Sequence, residues 1–270
     1  NTSNADDELR IADGAEIRRG KQSGNAGSTS PFTEVPTFEG SVSLTYKPTG
    51  SGNASSFQSG REVPSASSDA TISSISVDPG SGEDVDFQAV DTENGIATGN
   101  VVVTGAFDLE SGTVEHGVAD DSDSRRLEIA DGGVFAQKNG SLQTTDTDSD
   151  AQSIVASDYT LRYYPNDGSG IPTSGQEYRT GGAVSTLEFI DGPVSSPSDD
   201  NLELHADREV GALTVNRSGA STLDLKSSSN GDETEKTLTV TGGSDLAAGT
   251  VTHGTLQAEG DVAGDEGANG

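Results

Sequence analysis

Apolar residues in this chain come in short runs in which they alternate with polar ones. SVSLTY (41–46), LELHAD (202–207), ALTVN (212–216), TLDLK (222–226), TLTVT (237–241) and TLQAE (255–259) all read this way. Successive side chains of an extended strand point to opposite faces, so a period of two predicts a strand with one buried face. Gly, Asn, Asp and Ser fill the gaps between runs, and these residues make tight corners. No stripe of helical period has useful length. The pattern predicts an all-β chain.

The runs also recur at long range. VVVTGAFDLESGTVEHG (101–117) returns as LTVTGGSDLAAGTVTHG (238–254) with ten of seventeen positions identical, Asp108/Asp245, Gly112/Gly249 and His116/His253 among them. DDELRIADGAEIRRGKQSG, from residue 6, is echoed by DSRRLEIADGGVFAQKNGS, from residue 123, and GSVSLTYKPTGSG by SDYTLRYYPNDGSG. SGREVPSASSDATISSISV is answered by SGQEYRTGGAVSTLEFI. Leu9 maps to Leu127, Leu44 to Leu161, Tyr46 to Tyr163, and Phe87 to Leu204. Val103 then maps to Val240, with about twenty extra residues around NRSGASTLDLKSSSNGDETE in the second copy. Repetition of this kind points to a tandem duplication. The expected organisation is a polar segment 1–8, a first β unit 9–117, an acidic linker 118–126, a second unit 127–254, and a C-terminal strand with an acidic, Gly-rich tail 255–270.

Two architectures accommodate such strands. Two tandem β-sandwich domains would pair them antiparallel around aromatic-rich cores. A β-solenoid stacks each run on the one a coil earlier and needs only a narrow core of small and branched residues. Twelve Phe and Tyr, no Trp and an abundance of Val, Leu, Ile, Thr and Gly favour the solenoid. RLEIADGGV, SVSLTY, VGALTVNRSGASTLDL, TLTVTG, LAAGTV and GTLQAEGDV, from Leu9 to about Gly264, resemble secreted bacterial β-strand-repeat surface proteins of the autotransporter-associated and filamentous-haemagglutinin-like kinds. That resemblance implies a right-handed parallel β-helix serving as a passenger, adhesin or fibre. The chain departs from that pattern in its acidity and in inserts such as SGNASSFQSGREVPSASSD, which leave room for sandwich-like bulges.

Charge narrows the partners. The 45 acidic and 15 basic residues give a formal charge of -30. Self-repulsion on that scale is tolerated where salt screens it or cations bind, so strong brine or calcium-rich surroundings are expected. No basic stripe exists to displace counterions from phosphates, which excludes nucleic acid. Membrane insertion is not expected, because no apolar run approaches the roughly 18 residues of a membrane helix. Cysteine is absent, so thiol chemistry and disulfides are excluded, and an extracellular or cell-surface location fits. The absence of an initiator Met and of a signal sequence reads as a mature or excised product.

Candidate sites are few. Asp146, Asp148 and Asp150 alternate as at the start of a calcium loop, although Ala151 and Ser157 replace the glycine and glutamate such a loop uses. Asp120, Asp121 and Asp123 form a second cluster of the same kind. Asn53, Asn139 and Asn216 head sequons in polar loops, as does Asn1, and glycan attachment is expected there if the organism modifies such sites. His116 and His253 read as exposed turn residues duplicated with their units. At about 4.8 Å per coil they would lie too far apart to share a metal.

These features predict a non-catalytic, secreted structural protein that needs no cofactor, with calcium as the candidate ion. Its expected partner is itself, through Leu9, Ile11 and Ile17 on an N-terminal edge strand that pairs with a neighbour's TLQAEG. The alternatives are an adhesin stalk or viral fibre binding glycans or a host surface, and a β-helix enzyme acting on polysaccharides.

Overall fold

The computed structural model describes residues 8–20, 32, 35–48, 57–64, 69–80, 82–87, 100–117, 126–143, 154–156, 158–164, 177–178, 184–190, 200–204, 207–216, 222–227, 237–248, 250–253, 256–258 and 262–263. For 58, 200–204, 222–227, 248, 250–253, 256–258 and 262–263 the description is of the backbone. Strands are the only regular elements among these residues.

Ten strands lie side by side in chain order: Ala15–Arg19, Val42–Tyr46, Ile72–Val77, Val101–Leu109, Gly133–Gln137, Tyr159–Tyr163, Val184–Ile190, Arg208–Asn216, Leu238–Val240 and Leu256–Ala258. Between visits to this sheet the chain runs through a second one, Phe57–Gln58, Asp84–Asp86, Thr113–Glu115 and Ser141–Gln143, and later through a third, Asp200–Leu204, Thr222–Ser227 and Thr250–His253. The strands pair in parallel throughout. The fold is a parallel β-solenoid. Tandem sandwiches are excluded, because they need antiparallel neighbours joined by short turns.

Register explains the repeats. One inward column reads Ile17, Leu44, Ile75, Phe107 and Phe135, so the 118 residues from Ile17 to Phe135 cover four ladder steps. Asp108 reaches Asp245 through Ala136, Arg162, Glu188 and Thr214, so those 137 residues cover five. The twenty extra residues of the second copy are therefore taken up as one more rung. A solenoid absorbs a whole rung without disturbing its neighbours, since each rung meets only the ones above and below.

The repeated phrase has a physical meaning here. Thr104 Oγ1 donates to Ile72 O at 3.1 Å, and Thr241 Oγ1 donates to Val210 O at 3.3 Å. A Cβ on Gly105 would meet Ser73 O at 2.3 Å, and one on Gly242 would meet Gly211 O at 2.2 Å. In both copies Thr-Gly clamps a bend of the strand onto the preceding rung, where only glycine lets the backbones approach so closely.

The core holds more rings than a thin aliphatic ladder requires. Nine of the twelve Phe and Tyr are buried. Phe107 stacks on its register partner Phe135 with centroids 5.2 Å apart, and Tyr163 stacks on Phe189 at 5.5 Å. Tyr46 meets Phe87 edge-on at 5.5 Å, and Phe87 meets Phe107 edge-on at 6.4 Å, linking neighbouring columns. In-register rungs place like side chains about 4.8 Å apart, close to the separation at which rings stack. Each fully buried ring is worth about 1.5–3 kcal/mol, with up to about 1.5 more for a well-placed pair. Few aromatics suffice because nearly all of them are spent inside.

Candidate functional site

At the N-terminal end, Ala15–Arg19 pairs only with Val42–Tyr46, and among the described residues nothing lies along its outer edge. Arg10–Ile11 pairs with Thr37–Phe38 on the same rung. Leu9 is 50% exposed, whereas Ile11 and Ile17 pack against the core. Alternation in AEIRR turns Glu16 and Arg18 outward and Ala15, Ile17 and Arg19 inward. Arg19 thus enters a column that continues as Tyr46, Val77, Leu109, Gln137, Tyr163, Phe189 and Val215.

Arg19 is held there by Glu62. Their ion pair is almost fully buried, with side chains 6% and 0% exposed. Tyr46 OH donates to the same carboxylate oxygen at 3.2 Å, and the guanidinium lies over the rings of Tyr46 and Phe57 at 5.9 and 5.8 Å. The second copy repeats half of this arrangement. Tyr163 OH donates to Glu177 Oε1 at 2.9 Å, and Tyr159 OH donates to Glu177 O at 2.5 Å. Burial, then the neighbouring Glu177 charge, holds the Tyr163 hydroxyl well above the usual tyrosine range. Tyr178 is raised chiefly by burial, and Arg208 lies 4.8 Å over its ring. Glu62 and Glu177 come from REV and QEY in the inserts, which therefore anchor in the core. The sequence held the clue to Arg19, since it shares the phase of Ala15 and Ile17; Glu62 became its partner only through the winding.

Outside, charged side chains form short ladders across rungs. Lys47 pairs with Asp78 at 2.6 Å, Lys138 with Glu110 at 2.5 Å, and Arg162 with Glu188 at 2.6 Å. Burial alone would raise Asp78, but hydrogen bonds from Lys47 and Ser111 more than offset it and hold the carboxyl low. On the second sheet, Asp86 stands beside Glu115 in register, with Asp84 on the same strand as Asp86. Burial, together with the charges of Asp84 and Asp86, pushes Glu115 up.

His116 is buried, not an exposed turn residue. It follows Thr113–Glu115 directly, and its N–H donates to Gln143 O at 3.1 Å, so the ladder carries it inward. His253 ends the strand Thr250–His253 of the third sheet. Asn139 and Asn216 are exposed, Asn139 at a corner and Asn216 at the end of Arg208–Asn216. Asp146, Asp148, Asp150, Asp120, Asp121, Asp123, Asn1 and Asn53 lie outside the described residues. Among the described residues no three His, Asp or Glu side chains come together as a metal site, and no helix could cross a membrane. No family model, no curated protein and no solved structure matches the chain.

Proposed function

We propose that the chain is a non-catalytic, secreted structural protein, a rod-like subunit or segment of an extracellular fibre or surface appendage. Its kinship would be with the bacterial β-strand-repeat surface proteins that its motifs resemble. The observation that supports this reading is the unbroken run of ten parallel strands, which makes a stiff body out of very few large side chains. Stacked rungs satisfy one another's backbone groups along the whole length, and a negative surface of -30 stays hydrated and screened in saline surroundings. The function is then mechanical: to hold a fixed length between two points and to join with further copies.

Electron microscopy in strong salt tests it. The expected particle is a rod of roughly 43 Å along the stack, from nine spacings of about 4.8 Å, joined to others end to end. Isolated rods at every concentration, together with saturable binding on a glycan array, would replace the fibre reading with that of an adhesin.

A further inference from the structure

The corner between the first two sheets occurs with the same length on two adjacent rungs. Gln137 pairs with Leu109 before it and Ser141 with Thr113 after it, so Lys138-Asn139-Gly140 lies against Glu110-Ser111-Gly112. On one rung the middle side chain is tied down. Ser111 Oγ donates to Asp78 Oδ1 at 2.6 Å and accepts from the Gly80 N–H at 3.1 Å. On the next rung Asn139 is exposed, and among the described residues no hydrogen bond holds its carboxamide. The Asn139 N–H donates to Glu110 O at 3.3 Å and the Ser141 N–H to Gly112 O at 2.9 Å. Between them, the Gly140 N–H meets no acceptor among the described residues. Packing fixes glycine at 140, since a Cβ there would run into the Leu109 side chain and lie 2.9 Å from Gly112 O.

We propose that Asn139 is a self-modification site, at which the side-chain amide is lost after attack by the Gly140 nitrogen. The deprotonated nitrogen adds to Asn139 Cγ, the Cγ–Nδ2 bond breaks, and Nδ2 leaves as ammonia with the proton that Gly140 gave up. The product is a succinimide, which one water molecule then opens. Attack of water at Cγ gives aspartate. Attack at the main-chain carbonyl gives isoaspartate, whose main chain is longer by one carbon. Three features converge on this corner: an uncommitted nucleophile, a carboxamide with no competing bond, and a following residue with no side chain to crowd the approach. Either product adds a negative charge beside Glu110, and isoaspartate also lengthens a corner pinned at both sides to the neighbouring rung. Asn94-Gly95, Asn230-Gly231 and Asn269-Gly270 repeat the dipeptide outside the described residues. The inference stands on this corner alone and holds whether or not the chain forms fibres.

The test incubates the full folded chain in mildly alkaline heavy-oxygen water with strong salt and follows it by peptide mapping. The peptide bearing Asn139 should lose ammonia, take up the heavy oxygen and split into aspartate and isoaspartate forms. Asn216 is also exposed but precedes Arg217. Conversion at Asn139 should be at least roughly tenfold faster than there, because glycine leaves the attacking nitrogen uncrowded. Asn139→Ser installs the residue of the adjacent corner, and it should keep the wild-type circular dichroism while its peptide takes up no label. An Asn139 that stays an amide in the folded chain, while a free peptide of residues 138–142 converts, would overturn the proposal, since the corner would then shield it. So would a glycan found on Nδ2, which would retain the nitrogen that has to leave.

Discussion

Arg19 and Glu62 meet where water is excluded, so neither is tolerable without the other. Replacing Glu62 by Gln, or Arg19 by Leu, should cost about 3–5 kcal/mol because an uncompensated charge is left inside. The double change to leucine should cost much less. Urea unfolding of the three variants gives the comparison, and singles no worse than the double would mean that the pair is solvated. Gly105 makes a different demand. Its missing Cβ admits Ser73 O, so Gly105→Ala must push two rungs apart. A loss of about 1–3 kcal/mol is expected, against a near-neutral result for Gly243→Ala, where a Cβ would meet nothing within 4 Å.

At the level of elements, in-register pairing decides which charges help. Lys47–Asp78 and Arg162–Glu188 oppose unlike charges on neighbouring rungs, whereas Asp86 and Glu115 oppose like ones. Glu115 is raised in the folded chain, so folding favours its protonated form. The resulting penalty is full at neutral pH and fades as pH falls through the raised value. Glu115→Gln should therefore raise the melting temperature at neutral pH in dilute salt. The gain should shrink in acid, and also in strong salt, which screens the ladder. An equal gain under all three conditions would point to packing. Asp78 has the opposite sign: its lowered carboxyl stabilises above the ordinary aspartate range and loses that contribution as pH falls.

At the scale of the whole molecule, stability is additive along one axis. Leu161 to Leu187 and Leu187 to Leu213 are each one ladder step of 26 residues. Deleting residues 188–213 joins Leu187 to Thr214 in register and removes one rung. The shortened chain should still unfold cooperatively, with a denaturant slope smaller by roughly a tenth. A deletion of half that length should fail to fold, since it would turn core side chains to solvent. If both deletions behaved alike, stacked rungs would not be what holds the molecule together.

The alternation in SVSLTY and ALTVN, the glycine-bearing corners and the echo of 101–117 at 238–254 were enough to determine strands, a repeat and a stacked architecture, because each is a local or periodic property of the chain. The inward phase of the arginine at position 19 was legible in the same way. What only the tertiary structure decided is where distant segments meet. It set whether twenty extra residues make a loop or a rung and brought Glu62 under Tyr46. It also carried His116 inside and set the rings in two neighbouring inward columns. Those outcomes depend on how many residues each turn of the solenoid consumes, which here varies from rung to rung, and no local pattern records that number.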